Sequence, residues 1–177
     1  MEVRIKIKDP VLRSYLSGLF EKRNDGFAVD MDSFTGTVIC SLVSVSDYPV
    51  FEQEDPDAVL FYLPRSRYTD SLRNKCLYVT PEAQAKINAV LKKEFETNFM
   101  SFCTESRIQG FKLRDIIVMF IEENGLEIFD GNIETLKKRY YRRELDLLGK
   151  VEKKMRLRAY STARRIRQTL SSAVTVR

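Results

Sequence analysis

Apolar and polar positions alternate at the start of the chain, where Val3, Ile5 and Ile7 are interleaved with Arg4, Lys6 and Lys8. Period two predicts a strand with one buried face and one wet face. Asp9-Pro10 then reads as a helix cap followed by proline in the first turn. Val11, Leu12, Tyr15, Leu16, Leu19 and Phe20 recur at helical spacing, which predicts a short amphipathic helix over 10–22, stopped by Asn24-Asp25-Gly26. Phe27 to Asp30 predicts a short strand, and Thr35 to Val45, rich in β-branched residues, a full one. Ser46 to Asp57 holds two prolines and five acidic residues and reads as a solvated loop. The apolar run Ala58 to Leu63 predicts a buried strand. A polar connection, Arg65 to Lys75, leads to a last short strand at Cys76 to Val79.

The pattern changes at Thr80-Pro81-Glu82. A hydroxyl at the cap, proline in the first turn and an acid near the positive end of the dipole form a start signal. Beyond it the periodicity is helical: Ala83 to Phe102, then Phe111 to Asn124 ended by Gly125. A third helix runs from about Ile133 to Leu148, closed by Gly149, and a last from about Lys150 to Leu170. Ser171 to Arg177 is expected to fray. The layout is therefore α+β: a β-rich module over 1–80 with one short helix, and a helical module over 81–177, as two units or one continuous domain.

Composition agrees with a folded core: of 177 residues, 44% are hydrophobic and 31% charged. Apolar runs reach only six residues, against the roughly 20 needed to span a bilayer, and Arg4, Lys6 and Lys8 interrupt any signal-peptide core. A cytosolic protein with no membrane partner is expected. Cys40, Cys76 and Cys103 lack metal-clip spacing and read as reduced, mostly buried hydrophobes.

The chemistry that is missing narrows function. There is no histidine, so the usual general base, the commonest metal ligand and the ordinary pH switch are all absent. The seven glycines form no phosphate-cradling loop, and there is no G-x-S-x-G elbow. The acidic residues Asp47, Glu52, Glu54, Asp55 and Asp57 lack the spacing of a calcium loop. No enzyme, no cofactor and no metal are expected.

Charge placement points to a partner. From Thr135 to Arg177 there are 14 Lys+Arg against 3 Asp+Glu, a charge of +11, whereas the first 134 residues carry −6. An acidic body with a basic end suggests an anionic partner: nucleic acid, an anionic membrane surface, or an acidic patch on another protein. At about 100° per residue, Ile133, Leu136, Tyr140 and Leu147 share one side, Lys138 and Arg142 lie opposite, Arg139 and Arg143 sit on a flank, and Lys137 borders the apolar side. An apolar helix, a glycine turn and a basic helix are the parts of a helix-turn-helix reader, although this turn is longer than the usual three or four residues. The last helix gathers Val151, Met155, Ala159, Ile166 and Leu170 within roughly 100°. Lys153, Lys154, Arg156, Arg158, Arg164, Arg165 and Arg167 lie outside that arc with Leu157 and Tyr160, and Glu152 alone offers local neutralisation, to Arg156. A phosphate-led contact by these residues would be steeply salt-dependent. Arg65, Arg67, Arg73 and Lys75, interleaved with Tyr68, form a second basic stretch.

Residues 110–143, above all FIEENGLEIFDGNIETLKKRYYR, resemble the helix-turn-helix-like C-terminal segment of small bacterial proteins carried by mobile elements and prophages. The matching residues are Phe120, Ile121, Ile133, Leu136, Lys137, Lys138, Tyr140, Tyr141 and Arg142. The resemblance implies a phage or mobile-element setting. The expectation is a DNA-binding protein, DNA ahead of RNA, that contacts the phosphate backbone through its basic C-terminal helices. The alternative is an assembly protein of a phage or conjugative machine whose basic helices pack on acidic partners, with homo-oligomerisation open to either.

Overall fold

The computed structural model describes residues 1–48, 50, 55–64, 75–126 and 130–174, except for the side chains of 130, 163 and 165–174. The chain divides into two units, Met1–Ile133 and Glu134–Arg177. The architecture is α+β, and the described strands all lie in the first unit. Position 80/81, where the composition changes, falls inside that unit, and the following two helices belong to it.

In the first unit, β1 (Glu2–Lys6) buries Val3 and Ile5 and exposes Glu2 and Arg4, as the alternation requires. Helix α1 (Pro10–Leu19) begins where expected: the Asp9 carboxylate accepts from the Val11 amide at 3.0 Å, with proline in the first turn. It ends earlier than the sequence suggests. Glu21–Arg23 is not helix but a strand, β2, which pairs with β3 (Gly26–Ala28) across a turn whose Asn24 has φ 53°. All three β2 residues are exposed, so no buried face gives them a period to read.

The largest departure lies at Thr35 to Val45, predicted as a strand. Phe34–Leu42 forms helix α2, and only Ser44–Ser46 is extended, as β4. Ser33 caps the helix, its hydroxyl accepting from the Gly36 amide at 2.9 Å, and Thr35 is buried with its hydroxyl bonded to Glu94. Cap and tertiary contact together outweigh the modest strand preference of Thr, Val and Ile. Gly36 is required here: a Cβ would stand 1.8 Å from the Asp30 carbonyl oxygen.

The strands β5 (Ala58–Tyr62) and β6 (Cys76–Tyr78) fall within their predicted runs. One sheet has the order β1-β5-β3-β2, antiparallel except for the parallel β3/β5 pair, and β4 pairs antiparallel with β6 in a second. Of the predicted connection Arg65 to Lys75, residues 65–74 lie outside the described residues, as do 49 and 51–54 of the acidic loop. Asp47, Asp55 and Asp57 from that loop pair with Lys75, Lys6 and Arg13 respectively.

Helix α3 (Pro81–Ile108) is longer than predicted and organises the unit. Thr80 caps it, accepting from the Ala83 amide at 3.2 Å. Ala83, Ile87, Leu91, Phe95, Phe99 and Cys103, each four residues after the last, form one buried ridge. The helix packs against α1, α2 and α4 (Leu113–Glu123). Phe99 lies 5.0 Å from Phe120 and Tyr15 5.0 Å from Phe95, ring edge to face in both pairs. The edge strand β1 is tied to α3 as well. The Gln84 amide donates to the Lys6 carbonyl at 2.6 Å and accepts from the Lys6 amide at 2.9 Å. Gly125, at φ 61°, follows the Asn124 cap of α4 in the left-handed conformation that glycine favours.

Helix α5 (Asp130–Val174) is a single helix of 45 residues. The two helices predicted on either side of Gly149 are therefore one. Glycine mid-helix costs about 1 kcal/mol relative to alanine, which weakens a helix without ending it. Leu147, Leu148, Lys150 and Val151 continue helical on both sides of it. Residues 171–174, expected to fray, continue the helix.

Candidate nucleic-acid interface

The sequence assigns the interface to Lys137, Lys138, Arg139, Arg142, Arg143, Lys153, Lys154, Arg156, Arg158, Arg164, Arg165 and Arg167. All twelve lie on α5, so one element positions them all. Near its start the helix is two-sided, as the spacing predicts. Leu136 and Tyr140 are buried, whereas Lys138, Tyr141 and Arg142 are exposed. Leu147, expected on the buried side, is instead 45% exposed. It stands seven residues, about 10 Å along the axis, beyond Tyr140, the last buried residue described on this helix. From Tyr141 onward every residue whose burial is described is exposed except the half-buried Arg143.

Among the described residues, two ion pairs form within the helix. Lys137 pairs with Glu134 at 3.2 Å and Arg156 with Glu152 at 2.6 Å, the second as the i,i+4 spacing predicts. Both pairs are solvent-exposed, where such contacts contribute little. Among the described residues, Lys138, Arg142, Arg143, Lys153, Lys154, Arg158 and Arg164 have no ion-pair partner. Arg139 is half-buried and engaged by a neighbour. The side chains of Arg165 and Arg167 lie outside the described residues.

Lys150 belongs with this set and was hidden by reading Gly149 as a boundary. It is exposed and, among the described residues, unpaired. On the continuous helix Lys150, Lys153, Lys154 and Arg164 fall within roughly 100° of one another and form a basic row about 20 Å long. A row of this kind can follow a phosphate backbone. Three of its four members are lysines, which act as point charges, so it suits positioning contacts more than sequence reading.

The first unit has a different electrostatic character. A hollow beside β1 is lined by Arg4, Asp25, Asp55, Pro56, Ala58 and Leu60. The hydrogen bond from the Tyr62 hydroxyl, at 2.7 Å, holds the Asp25 carboxyl below its ordinary range, and the bond from Lys6 does the same for Asp55. Both carboxylates are thus stabilised in the charged form rather than poised to exchange a proton near neutral pH. Burial pushes the Cys103 thiol up to about 12 and that of Cys40 upward, so neither is primed as a thiolate. Among the described residues no group of three or more Cys, Asp or Glu side chains is placed to hold a metal ion. No described helix is long and apolar enough to cross a membrane.

Comparison of the chain with family models, with curated proteins and with solved structures finds no match in any of the three.

Proposed function

We propose that the protein binds nucleic acid, duplex DNA ahead of RNA, through the phosphate backbone, and that it acts as a binding protein rather than an enzyme. The observation that carries the reading is a set of exposed cations on α5, Lys138, Arg142, Lys150, Lys153, Lys154, Arg158 and Arg164, without carboxylate partners among the described residues. Like charges at this density repel along one helix. Polyanion binding relieves that repulsion and releases the counterions condensed on the phosphates. Backbone contact without base discrimination fits the geometry, because the cations face several directions instead of converging on one edge. The resemblance of residues 110–143 supports a phage or mobile-element setting, in which a small DNA-binding protein has an evident use.

The test is a pair of variants assayed on a labelled duplex at fixed salt. Arg142→Ala with Arg143→Ala, and separately Lys150→Ala with Lys153→Ala and Lys154→Ala, should each weaken binding at least several-fold without moving the melting temperature. Each lost phosphate contact should also lower the salt slope by about one. Unchanged affinity in both variants, or no duplex binding by the parent chain, refutes the reading.

A further inference from the structure

The cations do not account for the apolar side of α5. Leu148, Val151 and Met155 are 61%, 55% and 64% exposed. Ala159 and Thr162 continue the same side and are exposed as well. Spacings of three, four and four residues join Leu148 to Val151, Met155 and Ala159. The same series then repeats through Thr162 and, in sequence, Ile166 and Leu170. An 11-residue repeat averages 3.67 residues per turn, close to the straight helix, so this stripe stays on one side for its whole length instead of drifting around. Phosphates bring no apolar surface to cover such a stripe. A seam that is straight, narrow and regular over more than 20 residues fits another helix.

The flanks of the seam decide which helix. Arg156 and Arg158 stand roughly 70–90° to either side of it, and in sequence Arg165 and Arg167 stand roughly 90–110° to either side. Residues beside a helical seam choose its partner by charge. Glu152 is the one acid on this stretch, and it is already bonded to Arg156. Two copies of α5 would thus bring basic flank against basic flank. A membrane surface is a poorer match, because Ala159 and Thr162 occupy positions where a membrane-lying helix carries large anchors.

We infer that the Leu148–Val151–Met155–Ala159–Thr162 seam of α5 is a docking site for an amphipathic helix of another protein, with an apolar stripe of the same 11-residue period and acidic residues along both its flanks. The basic row Lys150, Lys153, Lys154 and Arg164 faces away from the seam, which leaves it open to phosphates. The two sites are therefore separable: the seam does not rest on the nucleic-acid reading, and either can fail alone.

The probe is a synthetic helix of about 25 residues with leucine at 3-4-4 spacing and glutamate on both flanks, titrated against the full-length chain. Two control peptides accompany it, one with lysine flanks and one with the acidic sequence scrambled. The matched acidic peptide should bind, the lysine-flanked peptide should not, and the scrambled one should bind at least about tenfold more weakly. Val151→Gln with Met155→Gln, which keeps the exposed helix favourable, should weaken the matched peptide about tenfold while duplex binding is unchanged. Equal binding of scrambled and matched peptides would reduce the effect to bulk charge and overturn the site. So would sedimentation showing a dimer, or binding to anionic vesicles, that the Val151/Met155 variant abolishes, because the seam would then belong to a second copy or to lipid.

Discussion

Phe99 and Met155 are large apolar residues on the two longest helices, yet one is 2% exposed and the other 64%. The regions around them differ in the same way. In the first unit, helix α3 carries a buried ridge with partners on three other helices, and acidic side chains there are bonded: Asp55 to Lys6, Asp57 to Arg13, Glu94 to Thr35. On α5 beyond Tyr140, the apolar and charged residues whose burial is described are exposed except the half-buried Arg143. The first unit has a buried apolar core and several internally bonded carboxylates. Among the described residues, the second presents two kinds of uncovered group, an apolar seam and a set of cations, and these are the groups for which partners are proposed.

Truncation should expose this difference most strongly. Phe99→Ala removes a ring packed against Phe95 and Phe120 and should cost about 3–5 kcal/mol in denaturant unfolding. Met155→Ala should stay within about 0.5 kcal/mol. A comparable loss at both positions would mean that Met155 is covered within the chain, and the contrast would fail.

Glycines sharpen the comparison at a smaller scale. Gly36→Ala drives a Cβ into the Asp30 carbonyl and should destabilise by about 1–3 kcal/mol. Gly149→Ala meets open space on an exposed helix and should stabilise α5 by up to about 1 kcal/mol, read as a higher helix-melting temperature by circular dichroism. Destabilisation by Gly149→Ala would show that the backbone at 149 is not the uninterrupted helix described.

What the sequence reveals follows the same division. Strand β1 and the caps at Asp9 and Thr80 are legible because alternation and cap chemistry are local. Helix α2 is not, because its cap at Ser33 and the bond from Thr35 to Glu94, 59 residues away, compete with β-branched side chains that favour a strand. Strand β2 has no buried residue to mark it. The candidate interface is legible as charge, since Lys and Arg need no tertiary context to be counted. Its continuity is not: Gly149 reads as a stop, which hides Lys150 and splits the seam between Leu148 and Val151. That these residues lie uncovered is visible only in three dimensions.

A pH dependence from Cys103 is expected only in alkaline solution. Its folded-state value of about 12 lies above the ordinary 9.0, so above pH 9 the unfolded chain releases a proton that the folded protein keeps. The unfolded state then binds fewer protons, and stability falls as pH rises from 9 towards 12. Cys103→Ala should make that decline shallower in urea titrations across the interval. An identical slope in both proteins would contradict the assigned burial of the thiol.

The salt dependence of duplex binding by the full-length chain tests the central claim, that the exposed α5 cations without ion-pair partners among the described residues are neutralised by phosphates. With roughly six to ten phosphate contacts, affinity should fall at least about a thousandfold between 50 and 200 mM salt, linearly in the logarithms. An affinity that stays level across that range would mean that these charges already have partners at home.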